Sequence, residues 1–541
     1  MVVYKCILCL ISITTAANVY CKTTYQEINE TSLSQAKSTL RSFPSNFLFG
    51  TATSAYQIEG AWNEGGKGWS MWDHLVRTAP DFISDNTTGD VAANSYYLYK
   101  RDVEILKDLG VDIYRFSISW PRILPYGRPD YVNPEGVAYY NNLINELLAN
   151  DITPFVTIYH WDLPQNLNEQ GGWLTEDIVD WFGDYSRVLF QQFGDRVKHW
   201  MTVNELYVHC YMSYGLGWHA PRIISPGQSF YECGRHALLS HARAFHIYDT
   251  EFRASQGGQI GIVLDAEMYL PSTDSEDDIQ AAKDMLDFTF GQYMDPIYSE
   301  NGNYPQRFID LVAEASARQG LSESRLRPFS QEQIDYLKGS ADFLGLNHYT
   351  TSYVYRNSSV MGMHPVPSYM DDVQAATYKD TSLPVAAGGW IRIYGPGLYK
   401  ALVYIKDNYN NPPIYIAENG FATHMGLNDD DRVEYYRSYL TGVLDAIDEG
   451  VDVRAYCAWS LMDNFEWALG YSVRFGLYEI DQNDPEKVRR PRKSALVYKE
   501  IIRSRAIDPE YNPDPYETDG SYVIQTSFLL VITLAVINVV L

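Results

Sequence analysis

The stretch Trp200-Met201-Thr202-Val203, followed at once by Asn204-Glu205, decides how the chain reads. Residues that are apolar or β-branched on both phases of a strand period describe a strand covered on both faces, as in a parallel sheet. The same pattern recurs at Phe47–Thr53, Ile113–Ser119, Pro154–Tyr159, Ile260–Asp265, Phe343–Leu346, Tyr415–Ala417 and Val453–Ala458, which makes eight predicted strands. Helix-like stretches such as Asp102–Leu109 and Val137–Leu148 separate them. Eight such units predict an α/β fold built as a single (β/α)8 TIM barrel, whose usual ~250 residues grow past 400 through loop insertions. Pro271–Arg325 and Tyr353–Gly389 are the predicted long βα-loop insertions. A doubly wound open sheet is the alternative, but no Gly-rich dinucleotide turn follows the first strand.

The residues directly behind each strand carry more than the strands do. The first strand runs on to Gln57 and Glu59, the third to His160-Trp161-Asp162 and the fourth to Asn204-Glu205. The sixth leads to Asn347-His348-Tyr349, the seventh to Glu418-Asn419-Gly420, and the eighth to Trp459 and then Asp463-Asn464-Phe465-Glu466-Trp467. A lone Asn-Glu behind a strand is ordinarily a solvated turn or a helix cap. Repetition over six strand ends points instead to the mouth where barrel enzymes keep their reacting groups.

Composition bounds the function. With 42 Lys and Arg against 68 Asp and Glu, the 541-residue chain carries a net charge of −26, which excludes a nucleic-acid partner. A hydrophobic fraction of 46% with 20% charged residues describes an ordered globular protein. The 44 Tyr and 12 Trp exceed what core packing requires, and such rings suit a wet surface that stacks on sugars, although Tyr also sits at surfaces to no effect. Six Cys make no disulfide scaffold. Cys210 and Cys233 pair in an oxidising lumen or stay separate buried thiols; sequence alone does not decide. His236, His241 and His246 fall at i,i+5 steps that share no helix face well, and no HExxH occurs, so neither a metal site nor a cofactor is implied. Arg489-Arg490-Pro491-Arg492-Lys493 is short and reads as a turn, solvated or typical of its fold family, and not as a nucleic-acid patch.

The two ends read as addresses. Residues 1–17 have the anatomy of a secretory signal peptide: Lys5, the apolar run Cys6–Ile13, then a small-residue site at Thr15-Ala16-Ala17. An N-terminal extension (18–41), the barrel (42–507), a polar stalk (508–520) and a hydrophobic tail (521–541) follow. Sequons at Asn29, Asn86 and Asn357 agree with a lumenal route. The tail has the order of a GPI-attachment signal, with small residues at Asp519-Gly520-Ser521 ahead of the apolar Phe528–Leu541. A membrane-spanning helix over Tyr522–Leu541 is the competing reading, and it lacks a basic cytoplasmic flank. Both imply an extracellular or cell-surface protein with membrane association through the tail.

Five motifs carry a family resemblance. Thr202-Val203-Asn204-Glu205, Asn347-His348-Tyr349-Thr350, Ile416-Ala417-Glu418-Asn419-Gly420, Trp459 through Trp467, and Arg474-Phe475-Gly476-Leu477 resemble the signature set of glycoside hydrolase family 1. Phe47 through Gly60 is similar to the same family's N-terminal motif, so the resemblance covers about Phe43–Ile502. It implies a retaining β-glycosidase on a (β/α)8 barrel, acting on a small-molecule β-glycoside, β-glucosides first. Retention takes two carboxyl groups, one ionised nucleophile and one proton carrier, about 5–5.5 Å apart. By resemblance Glu418 is the nucleophile and Glu205 the acid/base, kept protonated partly by the charge on Glu418. Tyr349 corresponds to the residue that hydrogen-bonds the nucleophile, with Asn347 beside it, and Asn204 to the group on the sugar 2-hydroxyl. Gln57, His160, Glu466 and Trp467 carry over as hydroxyl-binding groups, Trp459 as the stacking floor and Trp390 as the aglycone platform. A 6-phosphosugar would need a cation near Glu466, which favours an unphosphorylated sugar.

The chain departs from the family pattern in three places. Leu206 replaces the proline that usually follows the acid/base, so that turn is less rigid. Tyr394-Gly395 replaces a Tyr-Pro, and the loop Phe421–Asp430 gives no specificity clue. Two other functions fit the resemblance: a thioglucosidase of the myrosinase type with the same nucleophile, and a non-catalytic glycoside-binding protein on the same scaffold. The intact pair of carboxylates argues against the second.

Overall fold

A computed structural model describes residues 40–360 and 367–517. The signal peptide, the Asn29 sequon and the hydrophobic tail expected from the sequence lie outside the described residues. Within them, eight parallel strands close into a barrel: β1 (Leu48–Ala52), β2 (Ile113–Ser117), β3 (Thr153–Tyr159), β4 (His199–Asn204), β5 (Gln259–Asp265), β6 (Leu344–Asn347), β7 (Ile414–Asn419) and β8 (Val453–Trp459). Each pairs with its neighbours in sequence, and β8 closes on β1 with Gly50 opposite Cys457 and Ala52 opposite Trp459. Every predicted strand is a barrel strand. The limits move by one or two residues, because a run such as Phe47–Thr53 includes apolar residues that pack just beyond the ladder.

The outer helices start and stop where local chemistry says they should. Helix α1 (Ser95–Leu109) ends on Gly110, whose φ of +77° reverses the chain into β2. Asp112, just ahead of β2, accepts the Phe49 N–H through Oδ2 at 2.8 Å and ties the entry of β2 to β1. Helix α2 (Pro134–Ala149) has Pro134 in its first turn and Asn133 as a cap accepting from the Glu135 N–H. Helices α3 (Ile178–Phe193), α4 (Ser229–Ile247), α5 (Gly395–Asn408), α6 (Asp430–Asp448) and α7 (Lys493–Ser504) complete the set used below. At the seam, the Phe43 N–H donates to Arg505 O at 2.8 Å. The first residues of the predicted stalk are docked rather than free, since Arg437 of α6 donates to Asp508 O (3.0 Å) and Tyr511 O (2.5 Å).

Both predicted insertions are present, and they meet. Met268–Pro271, after β5, pairs in parallel with Thr351–Arg356, after β6, and that strand pairs antiparallel with Ala375–Tyr378. Buried Asp284 of the first insertion pairs with Arg307 within it (2.6 Å) and with Arg356 of the second, joining the two.

One expectation is corrected. The basic run after the last motif is not a solvated turn: Arg489 and Arg492 are buried. Arg489 Nε donates to Asp102 Oδ1 at 2.8 Å, and Arg492 reaches both Asp463 oxygens at 2.8 Å through two nitrogens. A guanidinium carries five donors in a planar fork, so it is the cation that burial tolerates when a carboxylate and carbonyls meet it. Those acceptors come from distant segments, which a local reading of the run does not see.

Candidate active site

The site stands at the C-terminal ends of β1, β3, β4, β6, β7 and β8, and hydrogen bonds join its two carboxyls. Glu418, at the end of β7, accepts from Arg115 Nη1 on Oε1 (2.5 Å) and from the Tyr349 hydroxyl on Oε2 (2.7 Å). Glu205, directly after β4, accepts from Asn347 Nδ2 on Oε1 (2.8 Å). Asn204 lies between them: its Oδ1 accepts from Arg115 Nη2 (2.6 Å) and Asn347 Nδ2 (3.2 Å). Glu205, Glu418, Asn204, Asn347 and Arg115 are all buried.

The turn after β7 depends on glycine. A Cβ at Gly420 would stand 1.9 Å from the Trp459 carbonyl oxygen, so only glycine lets the Glu418 turn pass the end of β8. The turn after β4 is made differently, with Glu205 itself in the left-handed region at φ +51°.

The other predicted residues surround this pair. His160 Nε2 and Asn204 Nδ2 are 3.1 Å apart, which assigns the imidazole as acceptor there, and His160 Nδ1 is buried without a protein partner. Burial first and Arg115 second push the His160 pKa well down, so it is a neutral ring. Its face stacks near Trp459 and Trp467, each with centroids at 5.9 Å. Trp467 is wedged against Trp161 (4.8 Å) and Trp72 (4.9 Å). Gln57 Nε2 donates to Glu466 Oε2 (3.3 Å) and Asn464 Oδ1 (2.9 Å). Trp390 stands 5.5 Å from Tyr349 and is 41% exposed, so it belongs to the rim and not to the core. The predicted residues therefore gather at one end of the barrel, with Arg115 bridging Glu418 to Asn204 and the charge of Glu418 reaching Glu466 beside Gln57.

The electrostatics separate the two carboxyls. The Glu205 pKa is pushed well above the usual carboxylate range by burial, then by the charges of Glu418 and Asp265. Burial and Glu418 also raise Glu466 to about 8. Glu418 alone among these acids has a guanidinium on it.

Arg115 is the residue that sequence reasoning missed. The available signal was a charge in the middle of the apolar strand Ile113-Tyr114-Arg115-Phe116-Ser117, since a buried Arg needs a partner of opposite charge. The neighbouring cysteines are also settled: Cys210 and Cys233 form a disulfide. The three histidines of α4 each have separate partners, His236 with Trp173 O and the Glu232 carboxylate, His241 with Thr202 Oγ1 and His246 with Tyr336 O.

The family model described as glycosyl hydrolase family 1 matches residues 39–507. Myrosinase 1 of Brevicoryne brassicae is 42% identical over 463 residues, covering 85% of this chain and 98% of that protein. Beta-glucosidase 11 of Oryza sativa subsp. japonica is 42% identical over 487 residues, covering 86% and 89%. Among solved structures, the aphid myrosinase superposes with a TM-score of 0.82 at 42% identity, covering 86% of this chain and 99% of that one. The family 1 β-glucosidase from Thermotoga maritima does so at 0.77 and 37%, covering 87% and 100%.

Proposed function

The chain belongs to glycosyl hydrolase family 1 and is an O-glycosyl hydrolase of β-glycosides; from that premise we propose that it cleaves unphosphorylated β-glucosides, with Glu418 as nucleophile and Glu205 as acid/base. The observation that carries the assignment is the asymmetry of the two carboxyls. Glu418 has both oxygens held by donors, one of them cationic, which suits an ionised nucleophile aimed at the anomeric carbon. Glu205 gives one oxygen to Asn347 and leaves the other for a proton to the leaving oxygen. Once Glu418 is esterified by the sugar its charge is gone. One of the causes raising the Glu205 pKa goes with it, and Glu205 turns into the base that activates water. The orphaned His160 Nδ1 and the Gln57–Glu466 pair offer acceptors and donors to ring hydroxyls, with Trp459 and Trp467 beside them.

A thioglucosidase is the second reading, favoured by the 42% identity to a protein named myrosinase. A sulfur leaving group needs little protonation, so the two readings differ in how much they ask of Glu205. With phenyl β-glucoside, kcat/KM is expected to be present at low pH and to fall as pH rises through the raised pKa of Glu205. Its alkaline limb should lie above the ordinary carboxylate range. Parallel pH profiles on a phenyl β-glucoside and a thioglucoside decide the matter. An alkaline limb at an ordinary carboxylate pKa sinks the assignment of Glu205, and faster turnover of the thioglucoside favours the second reading.

We further propose that the enzyme travels the secretory pathway and stays on the cell surface by a lipid at its C-terminus. The signal-peptide anatomy of residues 1–17, the exposed Asn86 sequon and the Cys210–Cys233 disulfide support an oxidising, lumenal route. Among the described residues no helix is long and apolar enough to cross a membrane. Phosphatidylinositol-specific phospholipase is expected to release the activity from cell membranes, whereas retention after treatment overturns the lipid anchor in favour of a spanning tail.

A further inference from the structure

Glu205 holds a backbone conformation that the chain must enforce from elsewhere. Its φ of +51° and ψ of 73° place a non-glycine residue in the left-handed region, where strain persists only if the surroundings over-determine it. The next residue is Leu206, whose φ is free, and it opens a short helical segment, α-helical over Leu206–Cys210 and running on as a π-helical turn over Tyr211–Gly215. Short helices of this length have little stability of their own.

Helix α4 packs on this segment through Phe230 against Tyr207 (5.9 Å) and is bonded to it at two points, one on each side of Glu205. Upstream, the hydroxyl of Thr202 in β4 and Nδ1 of His241 share a hydrogen bond of 2.7 Å between two fully buried side chains. Downstream, Cys233 is disulfide-bonded to Cys210, the last α-helical residue of that short segment, with Cα atoms 5.6 Å apart. The two anchor residues lie about 12 Å apart along the axis of α4 at 1.5 Å per residue. The helix is itself tied down, since His236 Nδ1 bonds Trp173 O at 3.0 Å and the Cys233 side is buried.

We propose that α4 acts as a two-point clamp that aims the Glu205 carboxyl, with Cys210, Cys233, Thr202 and His241 as positioning residues. The inference rests on the reading of Glu205 as acid/base. It assigns the disulfide a role in proton transfer that a general stabiliser would not have. Glu205 also bonds Val263 O through its backbone (2.9 Å) and Asn347 through its carboxyl, and these contacts act on the residue itself. The clamp acts on the frame that carries it. Releasing either end lets the strand–turn–helix shift against the barrel and moves the proton away from the leaving oxygen.

The test uses leaving groups of different basicity, because only a poor leaving group needs the proton. In the Cys210→Ala/Cys233→Ala double variant, kcat/KM for phenyl β-glucoside is expected to fall by about 10-fold, as small misplacements at a reacting group do, while an activated dinitrophenyl β-glucoside loses less than about 2-fold. Thr202→Val is expected to give the same selective loss and carries the test alone if the disulfide variant does not accumulate folded. Equal losses on both substrates, or no loss on either, overturn the clamp. Glu205→Ala in the same assay guards the premise: a selective loss on phenyl glucoside, with azide yielding β-glucosyl azide from the activated substrate, upholds Glu205 as acid/base. Absence of both defeats that reading separately from the clamp.

Discussion

Glu418→Gln is expected to lower kcat/KM on aryl β-glucosides by about 10⁴-fold or more, the scale at which loss of a nucleophile leaves only binding and electrostatic help. The amide has nearly the volume of the carboxylate, so the end of β7 should keep its packing. What goes is the charge that attacks the anomeric carbon, with no other carboxyl placed to replace it. Glu205 is bonded to Asn347 with its pKa pushed up, and Glu466 is held by Gln57 with a pKa raised to about 8, so neither is poised to attack in its place. The Tyr349 hydroxyl keeps an acceptor in the Gln carbonyl, whereas the Arg115 guanidinium loses its counter-ion. A deoxyfluoro glucoside inactivator, with peptide mapping of the product, checks the assignment directly. The wild-type adduct is expected on Glu418 and none should form in the variant. An adduct on any other residue, or activity within about 10-fold of wild type, defeats the assignment of the nucleophile.

Much of this arrangement is legible in the chain because barrel chemistry is local in a useful way. Each β strand is buried on both faces and so reads as an apolar run, and the residues directly behind it are forced to the same rim. Glu205, Asn347 and Glu418 stand out for that reason. The features that escape such a reading depend on partners far away in sequence. Arg115 is visible only as an odd charge inside β2, and its role appears once β7 brings Glu418 against it. Arg489 and Arg492 look like a solvated basic turn until Asp102 and Asp463 are placed around them. Whether Cys210 and Cys233 pair is undecidable from spacing, because it turns on where α4 lies against the short helix after β4. The small sheet joining the two insertions is of the same kind, built from strands contributed by loops after β5 and β6.

Arg115→Met is expected to damage both stability and catalysis, and the two losses can be told apart. Arg115 is fully buried in β2 and its guanidinium is shared by Glu418, Asn204, Thr157 and the Ala417 carbonyl. Methionine fills similar volume without donors, which leaves a buried carboxylate facing Glu205 and Glu466 with no cation beside it. Removing one partner of a buried pair costs about 3–5 kcal/mol, so the midpoint of chemical denaturation should move by a matching amount. Beyond that, Asn204 Oδ1 loses the shorter of its two donors and keeps Asn347, and Glu418 keeps only Tyr349. A fall in kcat/KM of about 10² or more is therefore expected in protein that is still folded under assay conditions, as misplaced reacting groups produce. Arg115→Lys separates charge from geometry. A lysine restores a cation but not the fork that reaches Glu418 and Asn204 together, so it should recover part of the stability and little of the rate. Full recovery of activity by lysine would mean that charge alone matters at Arg115. Wild-type rates in Arg115→Met would remove Arg115 from the site altogether.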